Sequence, residues 1–101
     1  MAQFDVFRNP RRGRFPLLLD VQADLLSQIA TRAVVPLVRR KRYGEVITRL
    51  NPVASIGGAE YVLVFQEIAA LPVSVLREPV ASLAARRDEL IGAIDLLFTG
   101  I

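Results

Sequence analysis

With 101 residues, no cysteine and no histidine, the chain can build one core but lacks the thiolate and imidazole used in most acid–base and nucleophilic catalysis near neutral pH. Apolar residues make up 52% of it, more than a small monomer readily buries, so part of its surface is expected in a subunit contact, by default a twofold homodimer. The net charge of +3 is split, with ten Lys/Arg and four acids in residues 1–50 against three and six in residues 51–101.

The pattern along the chain is mostly β, then one helix. Gln3-Phe4-Asp5-Val6-Phe7 alternates polar and apolar as a half-buried strand does. Asn9-Pro10-Arg11-Arg12-Gly13 supplies turn chemistry, and Phe15 to Val21 reads as the returning strand. Asp20, Gln22 and Asp24 break the apolar run and leave Leu25-Leu26 on a loop or short turn. Thr31 to Val38, rich in β-branched residues, is the third strand, and Pro36 within it argues for an edge position or a bulge. Val53 to Ile56 and Ala59 to Phe65 flank Gly57-Gly58, a pair suited to the positive φ angles of a tight hairpin.

Ile68 to Val75 offers one more strand, limited by Pro72, and Glu78-Pro79 is expected to close the β part near a helix start. Leu83, Leu90, Ile94 and Leu97 then recur at helical spacing within a helix over Leu83 to Phe98, turning Arg86, Arg87, Asp88 and Glu89 outward. Phe98 is expected in the core. No repeat or linker divides the chain, so residues 1–101 read as one domain with antiparallel strands.

No apolar run approaches the roughly 18 residues of a membrane span, and arginines follow the first strand rather than precede an apolar stretch. The expected location is the cytoplasm. Chain ends are usually hydrophilic, yet Leu96-Leu97-Phe98-Thr99-Gly100-Ile101 carries four large apolar side chains. Such an end is either buried at home or destined for a partner.

Catalytic constellations are largely missing. No cluster has zinc-ligand spacing and no glycine-rich loop resembles a phosphate cradle, so neither metal nor cofactor is expected. The carboxylate pairs Asp20/Asp24 and Asp88/Glu89 read as strand-end and helix-surface charges. A metal-free ribonuclease would need an Arg beside a Ser or Thr, as in Thr31-Arg32. The balance favours a binding protein over an enzyme. Basic residues gather at Arg8, Arg11, Arg12 and Arg14 and at Arg39-Arg40-Lys41-Arg42, which suits solubility, an acidic protein partner or nucleic acid.

The chain resembles the CcdB toxins of bacterial toxin–antitoxin modules. The likeness runs through Gln3-Phe4-Asp5-Val6, Leu19-Asp20-Val21-Gln22, Val34-Val35-Pro36-Leu37, Leu50-Asn51-Pro52-Val53, Leu71-Pro72-Val73-Ser74-Val75 and Ile94-Asp95-Leu96-Leu97-Phe98 with Gly100-Ile101. It implies a strongly twisted antiparallel sheet related to SH3-like barrels, with a C-terminal helix. It also implies a homodimer that binds the A subunit of DNA gyrase and traps the cleaved-DNA state, without catalysis by the toxin. A CcdA-like antitoxin would neutralise it, an acidic disordered segment lying along the arginines, and no direct nucleic-acid or membrane partner is implied.

The gyrase-contacting residues of the family correspond here to Asp95, Thr99, Gly100 and Ile101, with Leu25 and Leu26 as an apolar pair nearby. Two of these depart from the family pattern, which has Trp at the position of Thr99 and Asn at that of Asp95. Leu25-Leu26 are alternatively core residues of a short helix, and Ile101 a cap on the dimer contact. The rival functions are an mRNA-cleaving toxin on a similar barrel and an inactive homologue that only binds antitoxin.

Overall fold

The computed structural model describes residues 2–11 and 13–100. Among these, seven short strands precede one helix: β1 Asp5–Arg8, β2 Leu17–Asp20, β3 Thr31–Arg39, β4 Val53–Ile56, β5 Ala59–Leu63, β6 Ala69–Pro72, β7 Pro79–Ser82 and α1 Arg87–Thr99. The strands form a curled antiparallel half-barrel in the order β4-β5-β3-β2-β1-β7, with β6 added on β3. No helix among the described residues is long and apolar enough to cross a membrane.

Strand alternation decides what each face holds. Leu17 and Leu19 of β2 and Val35 and Leu37 of β3 point into the larger core, where Phe65 and α1 cover them. Leu18 and Val34 point the other way, into a smaller cluster with Phe7 and Leu76. A third cluster of Val38, Val62 and Val64 lies under the segment bearing Tyr43 and Val46. β2 is therefore buried along its whole length, the aspartate at its end included.

Helix α1 lays Leu90 and Ala93 into the large core, with Ile94 and Leu97 packed half-buried beside them. Leu83 is buried too, but ahead of the helix: its N–H donates to the Phe4 carbonyl, and a single 3-10 turn, Ala84–Arg86, leads into α1. Asp88 and Glu89 occupy the first turn, where the helix dipole favours acids. The helix stops at Gly100, whose φ of +76° is a left-handed cap and whose N–H closes on the Leu96 carbonyl.

The Gly57-Gly58 hairpin forms as expected, with φ of +58° and +81° at its two glycines and the register Ile56↔Ala59 beside it. Five readings from the sequence need correction. Pro36 is neither at an edge nor on a bulge; it sits mid-strand, opposite Leu18. Beyond β2, the strand changes partner at this point: Thr31 to Val34 pair with β6, while Leu37 to Arg39 pair with β5. A residue without an N–H is tolerated because no strand presents an acceptor ladder at the handover, and its carbonyl still accepts from the Val64 N–H.

Phe4 leaves the strand it was expected to join. Its φ of +71° is a strained, left-handed setting, held by its N–H donating to the Asp20 carbonyl, by Leu83 and by burial of its ring. Pro79 does not close the β part but starts β7, an outer strand beside β1 and a position proline permits. Arg86 is not simply turned outward, since its guanidinium donates to the Val53 carbonyl and pairs with Glu89. Phe98 is 66% exposed rather than in the core, because Leu90, Ala93 and Ile94 define the buried stripe and Phe98 falls off it.

Candidate functional site

Leu25 and Leu26 lie in a 3-10 turn, Asp24–Leu26, between β2 and β3. They are not core residues: Leu25 is 93% exposed, and Leu26 and Ile29 are exposed as well. Three large apolar side chains on one connection form a ledge open to solvent.

A polar network beneath it sets the shape of this ledge. Asp20 and Arg32 are diagonal neighbours on one face, since Asp20 pairs with Val34 in the β2–β3 register. Both are fully buried, and Arg32 places Nε and Nη2 on Asp20 Oδ2. Asp20 Oδ1 accepts from the Gln22 N–H at 3.0 Å. The Gln22 side-chain amide then donates to the carbonyls of Leu26 and Thr31, each at 3.2 Å, while its oxygen accepts from the Ala33 N–H. Asp24 lies 3.8 Å from the Arg32 guanidinium and accepts from the Gln3 N–H at 2.7 Å. The loop is thus tied at both feet and across its middle.

This arrangement corrects two sequence readings. Asp20 does end its strand, but it is half of a buried ion pair rather than a lone charge. Arg32 is not available for the ribonuclease pairing with Thr31, because its guanidinium is enclosed and occupied by Asp20.

Asp95, Thr99 and Gly100 sit at the other part of the site, on and just beyond the last turns of α1. Thr99 Oγ1 donates back to the Asp95 carbonyl at 2.7 Å, so its hydroxyl is engaged within the helix and its methyl is what faces outward. Asp95 is exposed near the negative end of the helix dipole, where an acid gains nothing from its own helix. Phe98 stands beside them. Ile101 lies outside the described residues.

The two parts are tied to opposite ends of the helix. Asp24 holds Gln3, whose side-chain oxygen accepts from Arg87 at 2.8 Å in the first turn of α1. About 18 Å of helix separates that turn from Thr99. Within one chain, then, Leu25 and Leu26 form one group and Asp95, Thr99 and Gly100 another.

A model of the CcdB protein family matches residues 3–100. The chain belongs to the CcdB family. That membership supports a toxin of a toxin–antitoxin module.

Sequence reasoning missed the exposure of Ile29 and Phe98, and the Asp20–Arg32 strut beneath the Leu25 ledge. The strut had a signal. An acid closing the run Leu17-Leu18-Leu19-Asp20, with a basic residue on the strand that follows, is a pattern a buried pair would leave.

Proposed function

We propose that this chain is the toxin of a type II toxin–antitoxin module. It acts in the cytoplasm as a twofold homodimer, binds the A subunit of DNA gyrase, and holds the enzyme in its cleaved-DNA state. A CcdA-like antitoxin neutralises it. The contact residues in this reading are Leu25, Leu26, Asp95, Thr99, Gly100 and Ile101, and the chain catalyses nothing itself.

The observation that carries the reading is a 93% exposed Leu25 on a loop clamped by a buried ion pair. Exposed apolar groups held rigid lose little conformational freedom on binding, which suits a partner contact better than a mobile loop does. Two such ledges related by a dimer axis would match a twofold target, and a ligand preferring one target conformation traps it. The enclosure of Arg32 weighs against the ribonuclease alternative.

A supercoiling and DNA-cleavage assay with the host's own gyrase tests this. Wild-type protein should block supercoiling and accumulate cleaved DNA. Leu25→Asp should weaken inhibition by about 2 kcal/mol or more, roughly 30-fold, with the melting temperature unchanged. Removing Gly100-Ile101 should abolish inhibition in a protein that still dimerises. Thr99→Trp should tighten binding to gyrases recognised by Trp-bearing members. Inhibition retained by both the Leu25 variant and the truncated chain would overturn the proposal.

A further inference from the structure

Arg14 from the first basic cluster and the run Arg39 to Arg42, far apart in sequence, meet at one end of the sheet. Leu17 faces Leu37 in the β2–β3 register, so the residues before Leu17 and after Leu37 leave the sheet at the same end. On the other side of β3, Arg39 is paired with Tyr61 of β5. Three segments therefore converge there, and Arg14, Arg39, Lys41, Arg42 and Tyr61 line a cavity of about 420 Å³. A neighbouring cavity of about 250 Å³ shares Arg39 and Lys41 and adds Arg40, with Glu60 its acid.

These cations are exposed. The ion pairs of the described residues engage Arg8, Arg32 and Arg86, and none involves Arg14, Arg39, Arg40, Lys41 or Arg42. The Arg39 guanidinium lies 5.6 Å from the Tyr61 ring centre and Arg14 5.3 Å from that of Phe15, contacts that position the two groups without neutralising them. Five cations thus track across two adjoining hollows.

We infer that this basic track binds the phosphate backbone of nucleic acid. Evenly spaced charge on a polymer matches a line of arginines that offers few apolar anchors. An acidic peptide, by contrast, needs apolar side-chain pockets to offset the entropy of its ordering. The apolar cavity lined by Phe15, Leu18, Val34 and Leu71 opens on the face of β3 opposite to that bearing Arg39. This binding does not depend on the gyrase reading, since the track lies at the end of β3 remote from the Leu25 ledge.

The test is fluorescence anisotropy with a short labelled DNA duplex, alongside a poly-glutamate peptide of equal charge, over a range of salt. Wild-type protein should bind DNA with Kd roughly 10–100 µM at about 0.1 M salt, and log K should fall by about 0.9 per log unit of salt for each phosphate engaged. The triple variant Arg14→Ala/Lys41→Ala/Arg42→Ala should lose roughly two orders of magnitude in affinity and up to about 2.7 units of slope. Arg77→Ala, a cation elsewhere, should bind as wild type. Poly-glutamate bound as tightly as DNA would overturn the proposal in favour of an acidic protein partner. DNA binding absent at low salt, or unchanged in the triple variant, would overturn it outright.

Discussion

The two ends of β3 are built on opposite principles. At Thr31 the strand enters from a loop whose apolar side chains face water while its polar groups turn inward onto Asp20, Arg32 and Gln22. At Arg39, roughly 26 Å away along nine residues, it runs into a turn whose charges face water and make no ion pairs. One end inverts the usual distribution and needs a buried network to hold it. The other follows the usual distribution, its charges held by a backbone turn and ring contacts with no buried ion pair among the described residues. The difference teaches that a small protein can separate a surface that has to keep its shape from one that acts by charge alone, and place both on a single strand.

The largest expected effect lies at the apolar end. Asp20→Ala leaves the Arg32 guanidinium buried with the Gln22 carbonyl, at 3.4 Å, and the carboxylate of Asp24, at 3.8 Å, to face it. Loss of one partner from a buried pair should lower stability by about 3–5 kcal/mol in urea titration. Amide exchange should quicken across residues 22–30, whose bonds run through that network. A loss under about 1 kcal/mol would mean the strut does not govern the ledge.

An intermediate effect is expected at the hairpin that borders the basic end. Gly58→Val puts a β-branched residue at φ of +81°, which should cost about 1–2 kcal/mol and leave the proposed gyrase inhibition unchanged. The smallest is Arg42→Ala, which should change stability by less than about 0.5 kcal/mol. Added salt should raise the melting temperature of the wild type slightly and that of the variant less, because screening relieves repulsion among the clustered cations. A large destabilisation by Arg42→Ala would erase the contrast between the two ends.

Much of this was legible in the residues. Alternation located β1, turn chemistry β2 and β-branched residues β3 to within a few positions, and paired glycines fixed the hairpin, because those signals are local. The helix was visible from Leu90, Ile94 and Leu97 for the same reason. Pro36 was misplaced because its tolerance depends on two other strands, β5 and β6, meeting beside it. Phe98 was misplaced because a helix places a residue by angle, and its neighbours Leu97 and Ile94 take the inward directions. Asp20 was read as a strand-end charge and Arg32 as an arginine beside Thr31, since neither explains its burial without the other. For the site, Leu25 and Leu26 were found as a pair, but their exposure was left open, as it follows from what the loop is fastened to.

The handover at Pro36 has a consequence for solubility. Where one ladder ends and another begins, a sheet can offer unpaired groups to a foreign strand, but here the seam is buried and bridged by the 3-10 turn Phe65–Glu67 between β5 and β6. A ring nitrogen has no hydrogen to offer an intruder, and the one carbonyl there is already taken by Val64. The seam therefore guards itself.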